Sequence, residues 1–126
     1  MKLITPELAA RFSEVKDQSE IKNPLVIAKF FNPAGAGTWY ATEYDPETNI
    51  CFGYVTNLVP DALGMFDEWG SFSVDELESL ELPFGLRIER DIHFEEIRFN
   101  ELFKEKRLSE LSLLTTPKPQ DQELEF

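Results

Sequence analysis

The chain has 126 residues, with 24 Asp and Glu against 12 Lys and Arg, a net charge of −12 and a pI near 4.4. That length suits one ordinary domain with a short tail, and 42% hydrophobic and 13% aromatic residues exclude a wholly disordered chain. The acidity argues against a general nucleic-acid binder, which sets Lys and Arg against phosphates, and against docking on anionic lipid.

Thr5-Pro6-Glu7 has the chemistry of a helix start, with Thr as N-cap, Pro in the first turn and an acid beside it. Leu8, Ala9 and Phe12 give this helix a short apolar stripe, and Glu14 to Asn23 reads as a polar loop. Pro24 to Phe31 is the first strong strand pattern, β-branched and aromatic with Pro at its entry. A turn over Asn32 to Gly37 leads to a second strand, Thr38 to Tyr44. Turn chemistry at Asp45-Pro46-Glu47-Thr48-Asn49 leads to a third, Ile50 to Val55. Short connections between the three predict an antiparallel meander.

Asn57 to Met65 is irregular, and Glu68 to Phe72 is a candidate fourth strand. Ser73-Val74-Asp75-Glu76 matches a capping box and predicts a short helix, ended by Pro83 and Gly85. Leu86 to Phe94 reads as a further strand. A helix is expected over 97–114, with Phe99, Leu102, Phe103 and Leu111 near one face and Leu108 off it. The expected fold class is α+β: a small antiparallel sheet of four or five strands with two or three helices. The expected organisation is a single α+β domain over 1–96, a C-terminal helical extension over 97–114 and a flexible tail over 115–126.

The charge is uneven. Residues 60–101 carry twelve acids and three bases, a net −9 of the total −12. If 86–94 is a strand, Glu89, Asp91, His93 and Glu95 share one face, and Ile88, Arg90, Ile92 and Phe94 the other. Same-face residues then lie roughly 6.6–6.8 Å apart, close to the spacing of phosphates along one DNA strand. Such a face suits imitation of a nucleic-acid backbone. It is also what an ordinary half-buried strand looks like, and charge on an edge strand blocks aggregation.

Catalytic signals are weak. Glu89, Asp91 and His93 resemble metal ligands only loosely, since a two-His pattern needs a second His and the chain has one. One Cys excludes an internal disulfide, and one His with one Cys excludes a His/Cys zinc site. Cys51, between Ile50 and Phe52, reads as a buried inert thiol. Gly35-Ala36-Gly37 lacks the third glycine and the following helix of a phosphate loop. The aromatic residues of the first three strands read as core rather than as base-stacking platforms, which come with basic grooves. Tyr40 and Tyr54 with Glu43 mark the best place for a small-ligand pocket. No cofactor is expected. No stretch approaches the ~18 apolar residues of a membrane span, and a cytoplasmic location is expected.

Several segments look familiar together: Lys29-Phe30-Phe31 with Pro33, Thr38-Trp39-Tyr40-Ala41-Thr42-Glu43, Phe52-Gly53, Gly70-Ser71-Phe72-Ser73 with Glu76-Leu77, and Gly85-Leu86-Arg87-Ile88-Glu89-Arg90-Asp91 with Phe94. From residue 1 to Phe94 the pattern resembles the uncharacterised bacterial family called domain of unknown function 2958. Residues 95–126 read as an added extension. The resemblance implies a context rather than a chemistry: genes carried by plasmids, integrative elements and phages, near anti-restriction genes.

The leading expectation is a non-enzymatic acidic interaction protein of a mobile genetic element. In its sharper form it is a counter-defence protein whose nucleic-acid-mimicking negative face binds a host or defence-system protein through that protein's basic surface. Its partner-binding residues would be Asp75, Glu76, Glu78, Glu89, Asp91, Glu95 and Glu96. The alternative is a small-ligand binder or enzyme with a pocket around Tyr40, Glu43, Glu89 and Arg90. A third option places partner contacts on the helix running from Phe99 to Leu114.

Overall fold

A computed structural model describes residues 1–58 and 67–104. Thr5 caps helix α1 (Pro6–Val15), its Oγ1 accepting from Leu8 N–H at 3.1 Å. The strand pattern at 24–31 divides in two. Strand β1 (Leu25–Val26) and strand β2 (Ala28–Phe31) belong to different sheets, with Ile27 between them. Strands β3 (Thr38–Asp45), β4 (Ile50–Thr56) and β5 (Glu68–Ser73) complete the expected antiparallel meander. Helix α2 (Val74–Ser79) follows at once, capped by Ser73 Oγ, which accepts from Glu76 N–H at 3.2 Å.

The strand expected over Leu86 to Phe94 shrinks to β6 (Glu89–Arg90). Asp91 ends it, because its Oδ1 accepts from His93 N–H at 2.9 Å and folds the backbone into a turn. Residues 97 and 98 form strand β7 (Ile97–Arg98), antiparallel to β1, instead of opening a helix. Helix α3 begins at 99 and is described to 104. The part of the expected helix beyond 104, the tail over 115–126 and the irregular segment over 59–66 lie outside the described residues.

The five-stranded sheet runs β5-β4-β3-β2-β6. Its core face carries Ala28, Phe30, Trp39, Ala41 and Cys51, packed under Leu3, Ile4, Phe12, Val74, Leu77 and Ile88. Its second face carries Lys29, Tyr40, Tyr54 and Trp69 in register. Phe99 and Phe103 lie against Tyr54, with ring centroids 5.1 and 5.6 Å away. The first turn of α3 is thereby bound into the sheet packing. Gly53 is required by close approach, since a Cβ there would overlap the backbone carbonyl of Tyr40. A bulge at Thr42 shifts the β3–β4 register one residue before Glu43.

The polar loop at 14–23 hides a structural part. Gln18 is 5% exposed. Its Nε2 donates to the carbonyls of Leu25 and Thr42, and its Oε1 accepts from Leu25 N–H, at 2.9, 2.8 and 2.7 Å. One side chain thus ties β1 to the bulge of β3 and satisfies backbone groups that would otherwise be buried unpaired.

Candidate functional site

The acids expected to form one face fall into two groups, carried by opposite edges of the sheet. Around β6, Glu89 is half-buried and Glu95 exposed. Asp91 Oδ2 lies 3.6 Å from Lys29 Nζ. Glu96 takes a two-pronged grip from Arg11, Nε to Oε2 at 2.7 Å and Nη2 to Oε1 at 2.8 Å. That carboxylate, chiefly by hydrogen bonding, pushes the Arg11 guanidinium still further above its ordinary range. The period-two alternation stops at Asp91, so the run Glu89, Asp91, His93, Glu95 never forms one extended face.

The β5–α2 edge differs. Between residues 60 and 86 the sequence holds seven acids and no Lys or Arg. Of the described acids there, Glu68, Asp75, Glu76 and Glu81 are exposed, and Asp67 and Glu78 are half-buried. Asp67 accepts from Asn57 N–H, Asp75 from Asn49 Nδ2 and Glu78 from Leu3 N–H, at 2.7, 2.7 and 2.8 Å. These donors are neutral amides, so they orient the carboxylates and leave their charge uncancelled. The ion pairs among the described residues are Arg11 with Glu14 and Glu96, and Lys29 with Asp91; none involves this edge. Arg87 follows the acid-only stretch, but its Nη1 faces the backbone carbonyls of Glu78 and Leu80, at 3.4 Å each. Asp75 and Glu76 also have a local reason to be acidic, since they occupy the first turn of α2, where the helix dipole favours negative charge.

The four residues of the expected ligand pocket do not converge. Tyr40 lies on the second face, against Phe94 at 6.5 Å, and burial more than Asp91 raises its hydroxyl pKa. Arg90 pairs with Phe30 on the core face, and its Nη1 donates to the carbonyls of Lys2 and Leu3 at 2.9 and 3.0 Å. Arg90 thereby holds the N-terminal segment in place. Glu43 lies beyond the bulge, accepting from Gln18 N–H at 3.2 Å. Burial pushes its carboxyl up, and Asp17 adds to the rise while the Gln18 amide opposes it. A groove of about 490 Å³ below the end of α1 includes Glu43, Asp17, Asp45 and Lys16, but not Tyr40, Glu89 or Arg90.

Cys51 is fully buried and its thiol is pushed up to about 12 by desolvation, as expected of an inert core cysteine. Among the described residues, no group of three or more His, Cys, Asp or Glu is placed to hold a metal ion. No helix among them is long and apolar enough to cross a membrane.

Two features escaped the sequence reading. Phe52 and Trp69 stack at 6.0 Å and remain 37% and 38% exposed. The period-two pattern of β4 and the tryptophan of β5 could have signalled this second aromatic face. Phe84 is 97% exposed, and its position between Pro83 and Gly85 was the available signal for a protruding turn.

A family described as "Protein of unknown function (DUF2958)" matches residues 3–110. No curated protein and no solved structure matches the chain. The family match passes Phe94, so residues 95–110 are shared with the family and are not an extension added to it.

Proposed function

The chain belongs to the DUF2958 family, and we propose that it is a non-enzymatic acidic interaction protein of a mobile genetic element. Its partner is a host or defence-system protein, met on a basic surface that otherwise grips nucleic acid. The docking surface is the β5–α2 edge, with Asp75, Glu76 and Glu81 as its exposed charges and Glu78 beside them. One observation carries this reading: along this edge Asp75 and Glu78 are held by neutral donors, and among the described residues no ion pair involves Asp75, Glu76, Glu78 or Glu81. An uncancelled charge raises encounter rates with a cationic partner and rejects anionic ones. The acids near β6 contribute less, because Asp91 and Glu96 already have their cations.

The ligand-pocket alternative has lost its geometry, since Tyr40 and Arg90 face opposite ways. The test is capture from host lysate at low and high salt, with the wild type and with Asp75→Lys, Glu76→Lys and Glu81→Lys combined. The expected outcome is a partner held at low salt, released at high salt and by duplex DNA, and bound at least about tenfold more weakly by the variant. Capture indifferent to salt and to the three reversals would refute the reading.

A further inference from the structure

We propose that Phe84 is the apolar anchor of this docking surface, entering an apolar pocket ringed by Lys and Arg on the partner protein. The inference rests on the acidic-edge reading above.

Phe84 follows α2 in a tight turn. Leu86 N–H donates to the carbonyl of Pro83 at 3.2 Å, and Leu82 N–H to the carbonyl of Leu86 at 3.1 Å. These bonds close the turn at its base. Arg87 reaches back to the carbonyls of Glu78 and Leu80, which fixes the turn against the end of the helix. The tip is therefore held in one position and presented to solvent.

At that tip the ring is 97% exposed. A lone exposed apolar side chain needs no explanation by itself. The backbone supplies the second observation: Phe84 has φ 63° and ψ 24°, the left-handed region, and Gly85 follows at φ 73°. Glycine or asparagine takes that conformation at less cost than a bulky aromatic residue. The ring buries almost nothing and its backbone is strained, so folding does not account for a phenylalanine here. An exposed aromatic side chain on a backbone held by hydrogen bonds is instead what an interface core uses.

The surroundings define the partner. Glu81 lies three residues before the tip, and Asp75, Glu76 and Glu78 lie on the helix that leads to it. An apolar anchor beside carboxylates fits a pocket with cations at its rim. A second copy of this chain is disfavoured, because it would bring two surfaces of the same sign together.

Two measurements test this. The first is thermal unfolding of Phe84→Asn: a melting temperature equal to or above that of the wild type is expected. A fall of several degrees would assign Phe84 to the fold and overturn the proposal. The second places p-benzoylphenylalanine at position 84 in host cells, maps the photo-adducts by mass spectrometry and compares Phe84→Asn in the capture assay. The expected adduct is one protein, joined at an apolar surface flanked by Lys or Arg, with Phe84→Asn lowering affinity at least about tenfold. An adduct with a second copy, with nucleic acid or at an acidic surface overturns the proposal. So does salt-dependent capture that persists with no adduct at 84 and no effect of Phe84→Asn, and in that case the acidic edge still stands. Loss of salt-dependent capture altogether removes both.

Discussion

The segment from Glu89 to Glu96 and the edge from Glu68 to Glu81 are both acidic in the sequence, yet the fold treats them differently. Around β6, Asp91 meets Lys29 from β2, and Glu96 meets Arg11 from α1. At the β5–α2 edge, Asp75, Asp67 and Glu78 meet the amides of Asn49, Asn57 and Leu3. Among the described residues, only the first arrangement sets cations against carboxylates, at Asp91 and Glu96. Local charge density therefore locates acids without saying whether they remain available. Availability depends on what distant segments bring, and here the cations come from residues far away in the chain.

The largest expected effect lies on the β6 side. Arg90→Met removes two charged hydrogen bonds to the carbonyls of Lys2 and Leu3 and should cost about 2–3 kcal/mol in chemical denaturation. A loss below about 0.5 kcal/mol would mean that the N-terminal segment is anchored otherwise, and that β6 is less structural than its geometry says. Asp91→Asn keeps an acceptor for the His93 turn and loses only the Lys29 pair. It should cost about 0.5 kcal/mol or less, in keeping with a half-exposed ion pair. Neutralising the β5–α2 edge with Glu76→Gln and Glu81→Gln should change stability least, within about 0.5 kcal/mol in either direction. A clear destabilisation there would show that these charges serve the fold, and the contrast between the two edges would disappear.

Much of the fold was legible because its signals are local. Thr5 and Ser73 cap helices where their side-chain chemistry says they should. The turns at Asn32 and Asp45 space the meander strands, and Asp45 Oδ1 accepts from Glu47 N–H at 2.9 Å as a turn aspartate does. The misreadings arose where a distant partner decides. The apolar run 24–31 looks like one strand, and only pairing with β7 on one side and β3 on the other divides it at Ile27. The alternation at 88–95 looks like a strand, but an aspartate bonding its own backbone two residues on ends it. Arg90 on an apolar face was visible in the sequence; that it would hold two carbonyls of the N-terminus was not. At the candidate site the α2 acids were legible as acids, but that no ion pair among the described residues reaches them is a fact of the tertiary structure. Phe84 was hidden because no pattern of hydrophobicity marks a residue that stays outside the core.

The contrast between the edges is measured most directly by the salt dependence of partner binding for three forms of the chain: wild type, Asp75→Lys/Glu76→Lys/Glu81→Lys and Glu89→Lys/Glu95→Lys. A docking surface on β5 and α2 predicts a steep salt slope for the wild type, a flat and weakened one for the first variant, and a slope near wild type for the second. The reverse order, or three equal slopes, would contradict it.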